Sequence, residues 1–229
     1  MKAALHLAFL LVTLFTCRAQ VVVDRMAAVV NKRVIMESEL DQAARVDYLI
    51  KGGALPGGKL SDPEVLTVLD QLIDRALLDQ QIVHPDTLAP SPEELQARLH
   101  DIRERLPGAK SDEGWKALLA EYGVTQQDIE ERLASEFRVL RLVDLRFRGL
   151  ARVDKDAIAS YYQEKLLPQL SRQGVPAPPL ADVSDKIEKI LVEQRVDDML
   201  NDWLQTLRSQ AHIERMMQAG ATALGGANP

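Results

Sequence analysis

The stretch from Ser184 to Glu214 limits what this chain can fold into more than any other. Apolar residues recur there at Ile187, Ile190, Leu191, Met199, Leu200, Trp203, Leu204 and Leu207. Steps of three and four predict one apolar stripe on a helix. Ser184 and Asp182 are both candidate N-caps, and Asp185 and Glu188 suit the positive end of the helix dipole. About 26 residues at ~1.5 Å each give a rod of roughly 40 Å. No helix of that length buries such a stripe alone, so other segments must wrap it. Its far end, Ala211 to Glu214, alternates apolar and polar residues and is a candidate strand.

The surrounding composition decides what wraps it. Aromatic residues make up only 4% of 229, too few for a β-sandwich or barrel core, whereas 27% are charged and helix formers run throughout. The expected fold is therefore mainly α, a helical bundle with a small N-terminal β-hairpin. A net charge of −6 argues against a nucleic-acid partner, whose phosphates must be neutralised.

Residues 1–19 read as a secretory signal: Lys2 is the positive start, Ala3 to Phe15 the apolar run, and Cys17-Arg18-Ala19 the cleavage site. The apolar run is too short to span a bilayer comfortably. Leu14 to Cys17 loosely resembles a lipobox that would anchor Cys17 to lipid. Thr16 stands where that motif takes Gly, Ala or Ser, so the cleaved signal is the stronger reading. Cleavage leaves no cysteine and 26 basic against 34 acidic residues, so packing alone must hold the mature chain together.

The other elements follow from local chemistry. Met26–Val30 and Arg33–Met36 flank Asn31-Lys32 as a hairpin, since Asn tolerates the left-handed turn. Ser38 with Asp41 should cap the next helix, which carries Leu40, Ala43, Val46, Tyr48 and Leu49. Gly53 to Lys59 has the spacing of a phosphate-binding loop. Leu60 replaces the hydroxyl that would hold magnesium, and the loop follows a helix, so a plain connector is the better reading. Asp62-Pro63 opens a helix apolar enough to be the buried centre, from Val65 to Ile82. Ser91-Pro92 opens another, ended by Pro107-Gly108. Asp112 to Tyr122 is a short helix stopped by Gly123. Thr125 and Asp128 cap a long helix running to about Leu150, with Ile129, Leu133, Phe137, Leu140 and Phe147 inward and Arg132, Arg138, Arg141, Arg146 and Arg148 along its outer side. That arginine row should pair with Glu130, Glu131, Glu136 and Asp144, or attract an acidic partner. Asp154 caps a helix containing Tyr161 and Tyr162. Ser171 to Asp182 reads as a Pro/Gly loop, and residues 216–229 as a disordered tail.

No catalytic or metal signature emerges. His6, His84, His100 and His212 share no ligand spacing, and no nucleophile elbow is present. Adjacent acidic pairs such as Glu93-Glu94, Glu130-Glu131 and Asp197-Asp198 point apart on a helix and read as solvated faces. Trp115 and Trp203 fall at stripe positions, where core packing is the expectation.

The order of segments carries more information than any one of them. The hairpin and its sequel Met26 to Leu40, then Leu72 to Leu78, Gly123 to Leu133, Asp154 to Tyr162 and Ile190 to Glu214 follow one another. This resembles the chaperone core of the SurA family of periplasmic chaperones and, more distantly, PrsA and trigger-factor type foldases. The resemblance implies a single helical domain over residues 20–215, completed by the last helix and strand returning to the N-terminal module. In the family a parvulin-type isomerase domain commonly stands before the last helix. Here only 13 residues separate Leu170 from Ser184, so the isomerase positions have no counterpart within residues 171–183. The implied activity is ATP-independent holding of unfolded outer-membrane or exported polypeptides in the periplasm, without enzyme or cofactor. Candidate groove residues are Leu49, Leu55, Leu66, Trp115, Leu118, Phe137, Leu140 and Tyr161. Two other readings stay open: an exported scaffold subunit, lipid-anchored or not, and an isomerase by kinship alone.

Overall fold

Met26–Val30 (β1) and Arg33–Met36 (β2) form an antiparallel hairpin, in a computed structural model that describes residues 24–53 and 61–217. Asn31 supplies the left-handed turn residue at φ 57°. Its backbone N–H donates to the His212 carbonyl at 2.7 Å, and its side-chain oxygen accepts from the His212 N–H at 2.9 Å. That exchange starts a second ladder, Ile213–Arg215 (β3) antiparallel to β1, in the order β2-β1-β3. The two ends of the domain thus share one sheet, with β1 at its centre. Ala27, Ala28 and Val30 are fully buried there.

Helices cover this sheet. Glu37–Lys51 (α1) runs directly from β2, so no side chain of the usual kind caps it; Met36 holds that position. Ser38, expected to open the helix, is instead its second residue. Its N–H and hydroxyl both donate to Asp24, upstream of the sheet. Asp62–Asp79 (α2) starts one residue after Ser61, which is the cap in place of Asp62; Glu64 returns the contact by accepting the Ser61 N–H at 2.9 Å. Leu69, Leu72, Ile73, Ala76 and Leu77 of α2 pack with β1, Ile35 and Leu40, and Leu207, Ala211, Ile213 and Met217 lie against this core.

A second core joins α1 to Pro92–Arg105 (α3), Asp112–Tyr122 (α4) and Gln126–Val143 (α5). The caps expected at Ser91 and Thr125 accept the N–H groups of Glu94 and Asp128, and Ser111, not among the expected caps, accepts that of Gly114. Gly123 ends α4 at φ 64° and frees Val124 to enter the core. Arg141 then ties α5 to α3, donating to both Glu94 oxygens at 2.5 and 2.7 Å. Arg141 foremost, and then the Ser91 N–H, hold the Glu94 carboxyl below its ordinary range. A lowered folded value gives stability that is present above the unfolded pKa and lost as pH falls through the folded one. Glu94→Gln should therefore melt below the parent protein at neutral pH, with the gap closing below about pH 4. A gap in Tm that stays constant with pH would mean that ionisation of Glu94 contributes nothing.

α5 continues as a π turn over Asp144–Arg148, then Lys155–Tyr161 (α6), a second π turn at Tyr162–Leu166, and Leu167–Gln173 (α7). Pro168 explains the second π turn: it has no N–H and its ring crowds the carbonyl of Glu164, four residues back. The loop expected over 171–182 shrinks to Gly174–Pro179, because α7 runs to Gln173 and the long helix, Leu180–Gln210 (α8), begins earlier than expected. Pro179 holds the cap position, not Asp182 or Ser184.

The single stripe expected on α8 is not what forms. Its buried residues are Ile187 and Val196. Nine residues at ~100° each put these on opposite faces. α8 is gripped from two sides: α6 packs along it, while Val143, Phe147 and Ala151 form a third core with Val196 and the half-buried Val192, Met199, Leu200 and Trp203. Ile190, assigned to the stripe, is 42% exposed. Leu140, assigned to the inward face of α5, is 57% exposed. Of the expected tail, Met216 and Met217 are ordered against the sheet through the Ala27 carbonyl; residues 218–229 and the signal at 1–19 lie outside the described residues.

Candidate functional site

Among the described residues no group of His, Cys, Asp or Glu is placed to hold a metal, and no helix is long and apolar enough to cross a membrane. What the fold offers instead is a cleft. α6 packs against α8, and with its π turn and α7 it borders an open space of about 880 Å³. Tyr161, Pro168, Ala157 and Leu191 give it apolar walls; Glu164, Lys165, Arg172 and Gln194 bring polar and charged groups to it.

The sequence builds this cleft locally. Asp154 caps α6 by accepting the Ala157 N–H at 2.7 Å. Gly174 turns the chain at φ 67°, and three prolines between residues 176 and 179 hold the return extended. The Tyr162 hydroxyl donates to the Pro178 carbonyl at 2.7 Å and pins that return. Beyond the cleft, Leu140 (57% exposed) sits on the last turn of α5, Leu145 (76%) on the π turn that follows, Leu150 (65%) just after it, and Ile190 on α8. Exposed large apolar residues of this kind are ordinary singly.

The arginines expected in an outer row are clamps between elements. Arg132 donates to Asp47 of α1 at 3.0 Å, and Arg148 bridges Asp144 and Glu193 of α8. Arg148 is held more basic than usual by hydrogen bonds to Glu193 and then Asp144. Arg146 lies 4.3 Å from the centre of the Trp203 ring and 5.6 Å from that of Phe147. The expected pairing with Glu136 and Asp144 does form, as neighbours on the same helix.

The eight groove candidates do not make one wall. Leu49 and Trp115 are filled positions of the second core, which corrects their assignment as groove residues; Trp115 also donates to Gln126 at 3.3 Å. Leu118 is half-buried against that core, Leu66 is half-buried on α2, and Phe137 lies half-buried with the Arg141 guanidinium 6.0 Å from its ring centre. Leu140 is open to solvent, Tyr161 lines the cleft, and Leu55 lies outside the described residues. Sequence reasoning missed Leu145 and Leu150. Leu145 stands between Asp144 and Arg146, and Leu150 follows Gly149, so each sits among polar or flexible neighbours rather than in an apolar stripe.

Two comparisons bear on this architecture. A family model described as the SurA-like N-terminal domain matches residues 2–143. The Chaperone SurA of Pseudomonas fluorescens (strain Pf0-1) is 26% identical over 147 residues, covering 63% of this chain and 33% of that protein's length. The chain therefore spans about a third of this relative. The matched family region holds the hairpin and the buried members of the first two cores, together the head of the domain, while the cleft lies C-terminal to it.

Proposed function

This chain belongs to the SurA-like N-terminal domain family, and from that premise we propose that it is an ATP-independent holdase for unfolded exported polypeptides in the periplasm. The observation that carries the proposal is the open cleft between α6–α7 and α8, apolar on its walls and charged at its edges. Precursors of outer-membrane barrels alternate apolar and polar side chains and cannot bury them before insertion. A cleft of this size takes one or two side chains of such a segment. Each contact is weak, so a client leaves without nucleotide hydrolysis. Gly174–Pro179 is the whole connection between α7 and α8, leaving no room there for an isomerase domain, and the proposed role is binding alone.

The test uses chain purified without residues 1–19 and an outer-membrane barrel protein diluted from urea. The expected result is suppressed light scattering at a few-fold molar excess without nucleotide. Tyr161→Ser combined with Leu191→Ser should weaken client binding about tenfold, or ~1.4 kcal/mol, with Tm nearly unchanged. Unaltered scattering at tenfold excess overturns the holdase reading. Co-purification of one folded partner, with no affinity for unfolded chains, would replace it with the scaffold reading.

A further inference from the structure

A second, smaller cavity lies in the head, away from the cleft. It encloses about 420 Å³ between α1, α2 and α5, beside β2. Its walls carry Arg33, Arg75, Arg132 and Arg138 on one side of the charge balance and Glu39, Asp79, Asp128 and Glu131 on the other. Most of these charges are engaged. Arg33 pairs with Glu39 and Arg132 with Asp47. Asp128 accepts from Gln42 at 2.6 Å, and Glu131 from Gln127 at 2.8 Å.

Three groups stand apart. Arg75 and Arg138 close no direct hydrogen bond or ion pair among the described residues. Ser135 is 7% exposed, and its hydroxyl is buried without a hydrogen-bond partner. A mid-helix serine ordinarily returns its hydroxyl to the carbonyl four residues back, here Glu131. Leaving that bond unmade costs free energy unless a ligand completes it. Asp79 is an acid that feels both arginines, and Asp47 and Glu136 also act on Arg75. The Asp79 carboxyl is pushed above its ordinary range by the surrounding protein, with Arg138, Arg75 and Arg33 pulling the other way. Burial foremost, and then Arg132, lower the Arg75 pKa while Asp47, Asp79 and Glu136 oppose them; the guanidinium stays charged, with no acid among the described residues in direct hydrogen-bond contact.

We propose that this cavity binds a single carboxylate of a polypeptide, held by the Arg75 and Arg138 guanidiniums and by the Ser135 hydroxyl, which has no accessible surface as it stands and turns about its Cα–Cβ bond to donate. Two guanidinium forks match a planar carboxylate, and the volume admits one side chain or one chain end rather than a folded element. The carboxylate comes from a C-terminus or from an acidic side chain; the donors are the same for both.

Three fluorescent peptides of one apolar sequence separate these sources: a free C-terminus with no acidic residue, its C-terminal amide, and the amide with one internal Glu. Binding to the full chain is read by anisotropy. At least one acid-bearing peptide should bind ten or more times tighter than the plain amide, and the one that does names the source. Ser135→Ala and Arg138→Gln should each remove most of that ratio while leaving Tm within a degree or two. Ser135→Ala removes an unpartnered hydroxyl and so does not threaten the fold. Equal binding of all three peptides, or a ratio unchanged in both variants, overturns the site. The holdase reading supplies only the source of the carboxylate. It fails separately, in the scattering assay and in the Tyr161 and Leu191 variants.

Discussion

A chain ending at Gln210, with α8 intact and β3 removed, is expected to melt about 10–20 °C below the parent. The deletion takes away the pairing of Ala28, Val29 and Val30 with Arg215, Glu214 and Ile213. It also removes both Asn31–His212 hydrogen bonds and the Met216 N–H to the Ala27 carbonyl. Net values of ~0.5–1.5 kcal/mol per hydrogen bond make this a loss of several kcal/mol before any packing is counted. Ile213 and Met217 also leave the core formed by β1 and α2, and Arg215 leaves Asp70. Burial of one large apolar side chain adds ~1.5–3 kcal/mol. A total near ~5 kcal/mol is a large share of the 5–15 kcal/mol that holds a typical domain. For a chain of this size each kcal/mol shifts Tm by ~2–4 °C. The deletion has a second consequence: β1, central and fully covered, becomes a bare edge strand and a template for association. Thermal unfolding by circular dichroism and light scattering during the melt measure both. A shift under about 3 °C would mean that the two ends of the domain meet without stabilising each other.

The parts of that closure were legible before any coordinates because each is written locally, while their meeting was implied only by the resemblance. Asn31 marks the turn, alternation at Ala211 to Glu214 marks the strand, and the hairpin bounds match residue for residue. Caps at Ser91, Thr125 and Asp154 were legible for the same reason: the accepting oxygen sits three residues from the N–H that it satisfies. The misreadings occurred where the partner comes from elsewhere in the chain. Ser38 resembles a cap by spacing, but Asp24 takes its donors. The arginines of α5 resemble a row by spacing, yet Arg132 and Arg141 face α1 and α3, which no helical wheel contains. Leu140 has the phase of an inward residue, and no neighbour arrives to cover it.

The same physics blurred the candidate site. Apolar spacing marks which face of a helix avoids water; whether that face meets a neighbour or a cleft depends on how the helices assemble. Leu49 and Tyr161 follow the same rule of spacing, but α3 and α4 close over the first, while α7 turns away at Gly174 and leaves the second beside open space. The Ser135 cavity was illegible for a further reason: its walls are drawn from β2, α1, α2 and α5, up to a hundred residues apart.

Trp203→Ala is expected to loosen α8 while the sheet end holds. Among the described residues the third core is the smallest, with Val143, Phe147, Ala151 and Val196 as its buried members. Trp203 meets Phe147 edge to face at 5.6 Å and 75°, with Arg146 over its ring. Truncating a core tryptophan costs ~3–5 kcal/mol, and the half-buried position of Trp203 places it near the lower end. Losing the cation–π contact adds ~0.5–2 kcal/mol. The loss should be local, because the last turns of α8 keep separate anchors: Arg208 on Asp74 at 2.6 Å, and Leu207 against the α2 core. Amides of residues 187–203 and of α6 should therefore exchange with deuterium at least ten times faster, while those of β1, α2 and β3 keep their protection. Tm should fall by about 6–15 °C. Because the cleft needs α8 as its wall, client binding should weaken with the loss of protection, and Trp203→Phe, which keeps a ring against Phe147, should recover much of both. Equal acceleration across all helices would instead mean that the domain opens as one unit, with α8 no more independent than the sheet.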